Sequence, residues 1–76
     1  MNERYLLIEY LDNLLKYAKR SECPEKFFHQ AFGAVGVYCH IAYVNGYPDE
    51  ESAVADLWNN EYRAKFEELM YGKVSK

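Results

Sequence analysis

Four side chains of this 76-residue chain have the chemistry of metal ligands or nucleophiles: Cys23, His29, Cys39 and His40. A structural zinc site gathers about four such ligands around one ion. On a helix, His29 and His40 share a face but lie about 16 Å apart along the axis, and Cys39 and His40 diverge by about 100°. No two of them can hold one ion within a single helix, and we expect neither a metal site nor a cofactor.

Cys23 is also the candidate for a catalytic nucleophile, because it falls at the predicted start of the middle helix, where the helix dipole favours a thiolate. An ordinary cysteine in an apolar or capping turn is the alternative, and the sequence leaves the reactivity of Cys23 open. The chain contains no glycine-rich phosphate loop, serine elbow, HExxH motif or paired carboxylates. We therefore expect a protein without enzymatic activity.

The two cysteines also indicate the cellular location of the protein. Cys23 and Cys39 lie about 24 Å apart if the segment between them is helical, so they cannot form a disulfide within one chain. Reduced thiols are typical of the cytoplasm. No apolar run approaches the length of a membrane span, and the N-terminal residues do not follow the signal-peptide pattern. We expect a cytoplasmic protein that does not have the membrane as a partner.

A basic group near the end of the first predicted helix is the candidate for nucleic-acid contact: Lys16, Lys19, Arg20 and Lys26. Cations at the end of a helix complement its dipole, which explains most of this charge without a ligand. The first turn of the third predicted helix, residues 49–51, is acidic and would repel phosphates. With a net charge of −3 and a pI near 5.3, the chain is not expected to bind nucleic acid.

Apolar residues recur at the spacing of a helical face in three segments, which predicts helices at about 3–20, 23–45 and 49–71. The connections between them are short, so each helix should lie antiparallel to the next. The predicted fold is an all-α, up-down-up three-helix bundle, and residues 1–76 form a single helical domain.

Residues that favour caps and turns predict where these helices begin, end or break. Ser21 and Asp49 are the expected N-caps of the second and third helices, and Gly46 marks the end of the second. Asn59-Asn60 lies in the middle of the third apolar pattern, and asparagine prefers caps and turns. The third helix is therefore predicted to break near this pair.

Part of the middle helix has a competing interpretation as a strand. Residues 35–44 are rich in β-branched and aromatic side chains that alternate with glycine, histidine and alanine. The helical spacing of Phe28 and Phe32 leads into the same register, and a lone strand would have no partner in this chain. We favour the helix and keep the strand as the alternative.

Two apolar lines lie outside the predicted core and are our candidate interface. The middle helix has an almost uncharged strip where solvent is expected, formed by His29, Gly33, Gly36, Val37, His40 and Val44. The third helix has a second line at heptad spacing, formed by Leu57, Ala64 and Tyr71. Surfaces of this kind mark contact with other proteins.

These features predict a small protein–protein association module that self-associates as a dimer through its middle helix. If two copies cross antiparallel near Gly33 and Gly36, His29 of one faces His40 of the other, and acidification would weaken the dimer as the imidazoles charge. A monomeric adaptor or inhibitor that binds another protein is the first alternative. A nucleic-acid-binding accessory protein is the second.

Overall fold

The helical periodicity of the sequence is realised in three helices within residues 3–72, the part of the chain that the computed structural model describes. Two long helices come first, α1 (Arg4–Arg20) and α2 (Pro24–Val44). The third helix consists of α3 (Pro48–Leu57), a π-helical segment (Trp58–Tyr62) and α4 (Arg63–Tyr71). The three helices pack against one another, and this confirms the predicted three-helix bundle.

Proline, rather than the predicted capping side chains, sets the start of α2 and of α3. The N-caps are Cys23 and Tyr47, and neither side chain makes a capping hydrogen bond. The prediction of Ser21 and Asp49 as N-caps is wrong, because proline favours the first helical position, where its missing N–H costs nothing. Ser21 still contributes, since its Oγ accepts the backbone N–H of Cys23 at 2.9 Å.

The turn that ends α2 contains Gly46, as the sequence predicted. This glycine has a φ of 82°, in the left-handed region that other residues rarely adopt. Its N–H bonds to the carbonyl of Tyr43, and the N–H of Tyr47 bonds to the carbonyl of Ala42. This pair of hydrogen bonds is a Schellman motif, which satisfies the last carbonyls of the helix.

Residues 35–44 are helical, so the strand alternative is wrong. The inner side of α2 places Ala31, Val35, Tyr38 and Ala42 at helical intervals, and all four are buried. The rest of the core comes from α1 and the third helix: Leu7, Leu11, Leu14, Leu15, Ala18, Val54, Trp58, Tyr62 and Phe66. The periodicity therefore outweighs the low helix propensity of the β-branched residues.

The third helix carries its core residues at intervals of four: Val54, Trp58, Tyr62 and Phe66. In a regular α-helix each such interval drifts by about 40°, so Phe66 would point about 120° away from Val54. The π-helical segment has a wider turn, in which the N–H of Arg63 bonds to the carbonyl of Trp58. This turn offsets the drift and keeps all four side chains in the core.

The predicted break near Asn59-Asn60 falls within the π-helical segment. The helix changes its hydrogen-bond pattern there and continues into α4 instead of ending. The position of the irregularity is confirmed, and its form is a π turn.

A polar network joins all three helices at one end of the bundle. The guanidinium of Arg4 donates two hydrogen bonds to the Glu50 carboxylate, at 2.9 and 2.6 Å, and the Tyr38 hydroxyl donates a third at 2.8 Å. The bonds from Arg4 and Tyr38 lower the pKa of Glu50 to about 2. Burial and the bond to Glu50 raise the pKa of Tyr38 to about 12.

A second polar link joins α1 to the π-helical segment. The hydroxyl of Tyr62 donates a hydrogen bond of 2.6 Å to Asp12 Oδ1. Burial, followed by this bond, raises the pKa of Tyr62 above its ordinary value. The link gives the buried tyrosine a partner for its hydroxyl and fixes the register of α1 against the third helix.

Candidate interaction surface

The predicted strip on the middle helix lies on the outer side of α2, and all six of its residues are exposed: His29, Gly33, Gly36, Val37, His40 and Val44. Val37 and Val44 are the large apolar members, at 60% and 64% exposure. No charged residue occurs between Lys26 and Asp49. The outer side of α2 is therefore an uncharged surface in contact with solvent, and the two valines are its large apolar side chains.

The second predicted line does not form one surface. Leu57 is partly buried and packs against the core, whereas Ala64 and Tyr71 are exposed. Heptad spacing keeps residues on one face only while the helix stays regular, and the π-helical segment lies between Leu57 and Ala64. Leu57 thus contributes to folding, and only Ala64 and Tyr71 are available to a partner.

A groove of about 430 Å³ lies between α1 and α2, and the sequence reasoning missed it. Its walls are apolar and come from both helices: Leu6, Tyr10, Ala34, Val37 and Ile41. Leu6 and Ile41 are 49% and 44% exposed although both are large and aliphatic. One signal was present in the sequence, because Leu6 lies about 140° around α1 from Leu11, well outside the core arc.

An aromatic cluster extends the apolar surface on the other side of α2. Phe66 is completely buried, and Phe28 packs on it with ring centroids 6.0 Å apart. Phe32 stacks on Phe28 at 6.2 Å and contacts Trp58 at 6.0 Å, yet 57% of its surface is exposed. The cluster therefore begins in the core and ends at the surface.

The reactive side chains do not form a chemical site. The thiol of Cys39 lies 3.7 Å from the carbonyl oxygen of Glu51, and burial, followed by the nearby carboxylates, raises its pKa. Cys23 is exposed, and its Sγ lies 3.8 Å from Glu25 Oε1. Within residues 3–72, no three His, Cys, Asp or Glu side chains are grouped so that they could hold a metal ion.

The helices of the described part of the chain are too short or too polar to cross a membrane.

No protein-family model matches the sequence, and no curated protein or solved structure is similar to it.

Proposed function

We propose that this protein is a small association module that binds a second copy of itself through the exposed apolar surface of α2. The observation that carries the proposal is the outer side of α2, where Val37 and Val44 are exposed and no charge occurs between Lys26 and Asp49. A surface helix of a monomer normally presents charged residues to water. An uncharged outer face is typical of a helix that has a partner.

The energetics of a small chain support the same proposal. A core of this size offsets the conformational entropy of folding by only a small margin, and small helical proteins often gain the rest through oligomerisation. Burial of an exposed valine side chain contributes about 1.5 kcal/mol, and in a symmetric dimer each contact occurs twice. The free thiols of Cys23 and Cys39 fit the proposed cytoplasmic location.

The direct test is the mass of the protein in solution, measured by light scattering from micromolar to millimolar concentration. We expect the wild type to form a dimer and Val37→Glu to remain monomeric, because the substitution places a charge in the apolar surface. Val37 is exposed, so the change should leave the fold intact, and circular dichroism checks this.

Ser52→Glu is the matched control, since it adds the same charge at an exposed position on α3. It should leave the dimer unchanged. A wild type that stays monomeric at millimolar concentration contradicts the proposal, and so does a Val37→Glu variant that still forms the dimer.

A further inference from the structure

The groove between α1 and α2 continues directly into the exposed side of α2. We call the surface formed by Leu6, Tyr10, Ala34, Val37 and Ile41 the α1–α2 face. Val37 belongs both to this face and to the outer strip of α2. A partner that covers Val37 therefore also meets α1, and the contact surface is wider than one helix.

The area that a stable dimer needs indicates whether the contact surface consists of one helix or of two. α2 is about 30 Å long and about 10 Å wide, so alone it offers on the order of 300 Å² from each copy. Specific interfaces need more than about 1,000 Å² in total. The full exposed sides of α1 and α2, which include the α1–α2 face, together offer on the order of 600 Å² from each copy, which meets that requirement, whereas α2 alone does not.

The charges at the ends of this face have opposite signs. Glu3 lines the groove beside the C-terminal half of α2, and Glu9 is exposed in the same half of α1. At the other end, where the chain passes from α1 to α2, residues 19–26 contain three exposed cations, including Lys26, and two exposed glutamates, so the net charge is positive. The last turn of α2 contains no basic residue, so the negative end of its dipole has no cation from that turn.

Building on the proposed self-association, we infer that the α1–α2 face binds the same face of a second copy in antiparallel orientation. A two-fold axis that is perpendicular to the helices and passes near the middle of α2 places Glu3 of one copy near Lys26 of the other, and the reverse. It also brings Lys26 towards the C-terminal end of the other α2. A parallel copy would instead place Glu3 against Glu3 and Lys26 against Lys26, which like charges oppose.

The first experiment asks whether α1 takes part in the contact. We expect Leu6→Glu to raise the dimer dissociation constant more than about tenfold, because Leu6 lies on α1 within the α1–α2 face. Ser52→Glu adds the same charge on α3, outside both the groove and the outer strip of α2, and it should change the constant less than threefold. Sedimentation equilibrium measures both.

The second experiment tests the orientation by exchanging charges. At low ionic strength Glu3→Lys and Lys26→Glu should each weaken the dimer by about fivefold, because each places like charges together. The double variant restores the opposite pairing and should return the dissociation constant to within about twofold of the wild type. Thermal unfolding of dilute samples checks that each variant keeps its fold.

A distance between the two copies gives an independent test of orientation. In a Cys39→Ala background, a spin label on the exposed Cys23 should lie about 35 Å from its counterpart in the antiparallel dimer. In a parallel dimer the two labels would lie within about 20 Å. Pulsed dipolar electron paramagnetic resonance spectroscopy distinguishes these two distances.

The outcomes distinguish this inference from the proposed function. Three results would contradict the antiparallel α1–α2 contact and still leave self-association standing, provided that the wild type is a dimer. They are an unchanged dissociation constant for Leu6→Glu, a double variant whose dissociation constant is not restored, and spin labels within about 20 Å of each other. A wild type that is monomeric at millimolar concentration overturns both. A dimer with the expected losses, the restoration and the long distance supports both.

Discussion

The two sides of α2 are both apolar, but they differ in what surrounds them. On the inner side Val35 and Ala42 are buried against α1 and the third helix, whereas on the outer side Val37 and Val44 face solvent. Similar valines therefore contribute to the core on one side and remain more than half exposed on the other. The apolar character of a helix shows that it needs partners, and only the packing shows which of them the chain itself provides.

The largest expected effect comes from the inner side, at the aromatic cluster. Phe66→Ala should lower the free energy of unfolding by about 3–5 kcal/mol, because it leaves a cavity where Phe28 and Trp58 pack. Phe32→Ala is the matched control at the surface end of the same cluster, and it should cost less than about 1.5 kcal/mol. Urea unfolding followed by circular dichroism measures both, and equal losses would remove the contrast.

A smaller effect concerns the polar network that Tyr38 joins from the inner side of α2. The pKa of Glu50 is depressed in the folded state, so its contribution is fully present above about pH 4.5 and is lost as the pH falls towards about 2. Glu50→Gln should therefore lower the free energy of unfolding on the order of 1–2 kcal/mol at pH 6. This range allows for the solvent around the half-exposed Arg4.

The pH dependence provides the control for that prediction. Urea unfolding of wild type and Glu50→Gln at pH 6, 4 and 2.5 should show a difference that shrinks steadily on acidification. Other carboxylates titrate in both proteins, so the difference isolates Glu50. A constant gap across this range would show that the network does not act through the charge of Glu50.

The smallest effect is on the outer side of α2, and it should be stabilising. A Cβ added at Gly33 meets no atom within 4 Å, so Gly33→Ala should raise the stability of the monomer by about 0.5–1 kcal/mol through helix propensity. Gly46→Ala should have the opposite sign, because its φ of 82° strains a side chain. Thermal unfolding of dilute samples measures both, and a shared sign would contradict this reading of the two glycines.

Periodicity predicted the three helices and most of the core, because the apolar pattern of a buried helical face lies within one continuous stretch of sequence. The partners of Arg4 and Tyr62 could not be predicted in the same way. Arg4 bonds to a residue 46 positions away and Tyr62 to one 50 positions away, and these pairs depend on how the helices align. The N-caps of α2 and α3 were predicted wrongly, because proline and capping side chains competed for the same turn.

The candidate surface was predicted in part for the same reason. The outer strip of α2 follows from one helix, and its exposure is as expected. The groove with Leu6 and Ile41 requires the placement of two helices, and it was missed. The line through Leu57 and Ala64 was divided by the π-helical segment, whose signal was the repeated interval of four between core residues.

The π-helical segment also marks the place where a related protein could lack one residue and still keep the same core. Loss of one residue between Trp58 and Tyr62 would leave the core positions at successive intervals of four, three and four, which a regular α-helix accommodates. The bundle could then keep the same core with a shorter chain. A one-residue gap between this protein and a relative should accordingly be placed at residues 59–61, where the turn can absorb it without moving Phe66 out of the core.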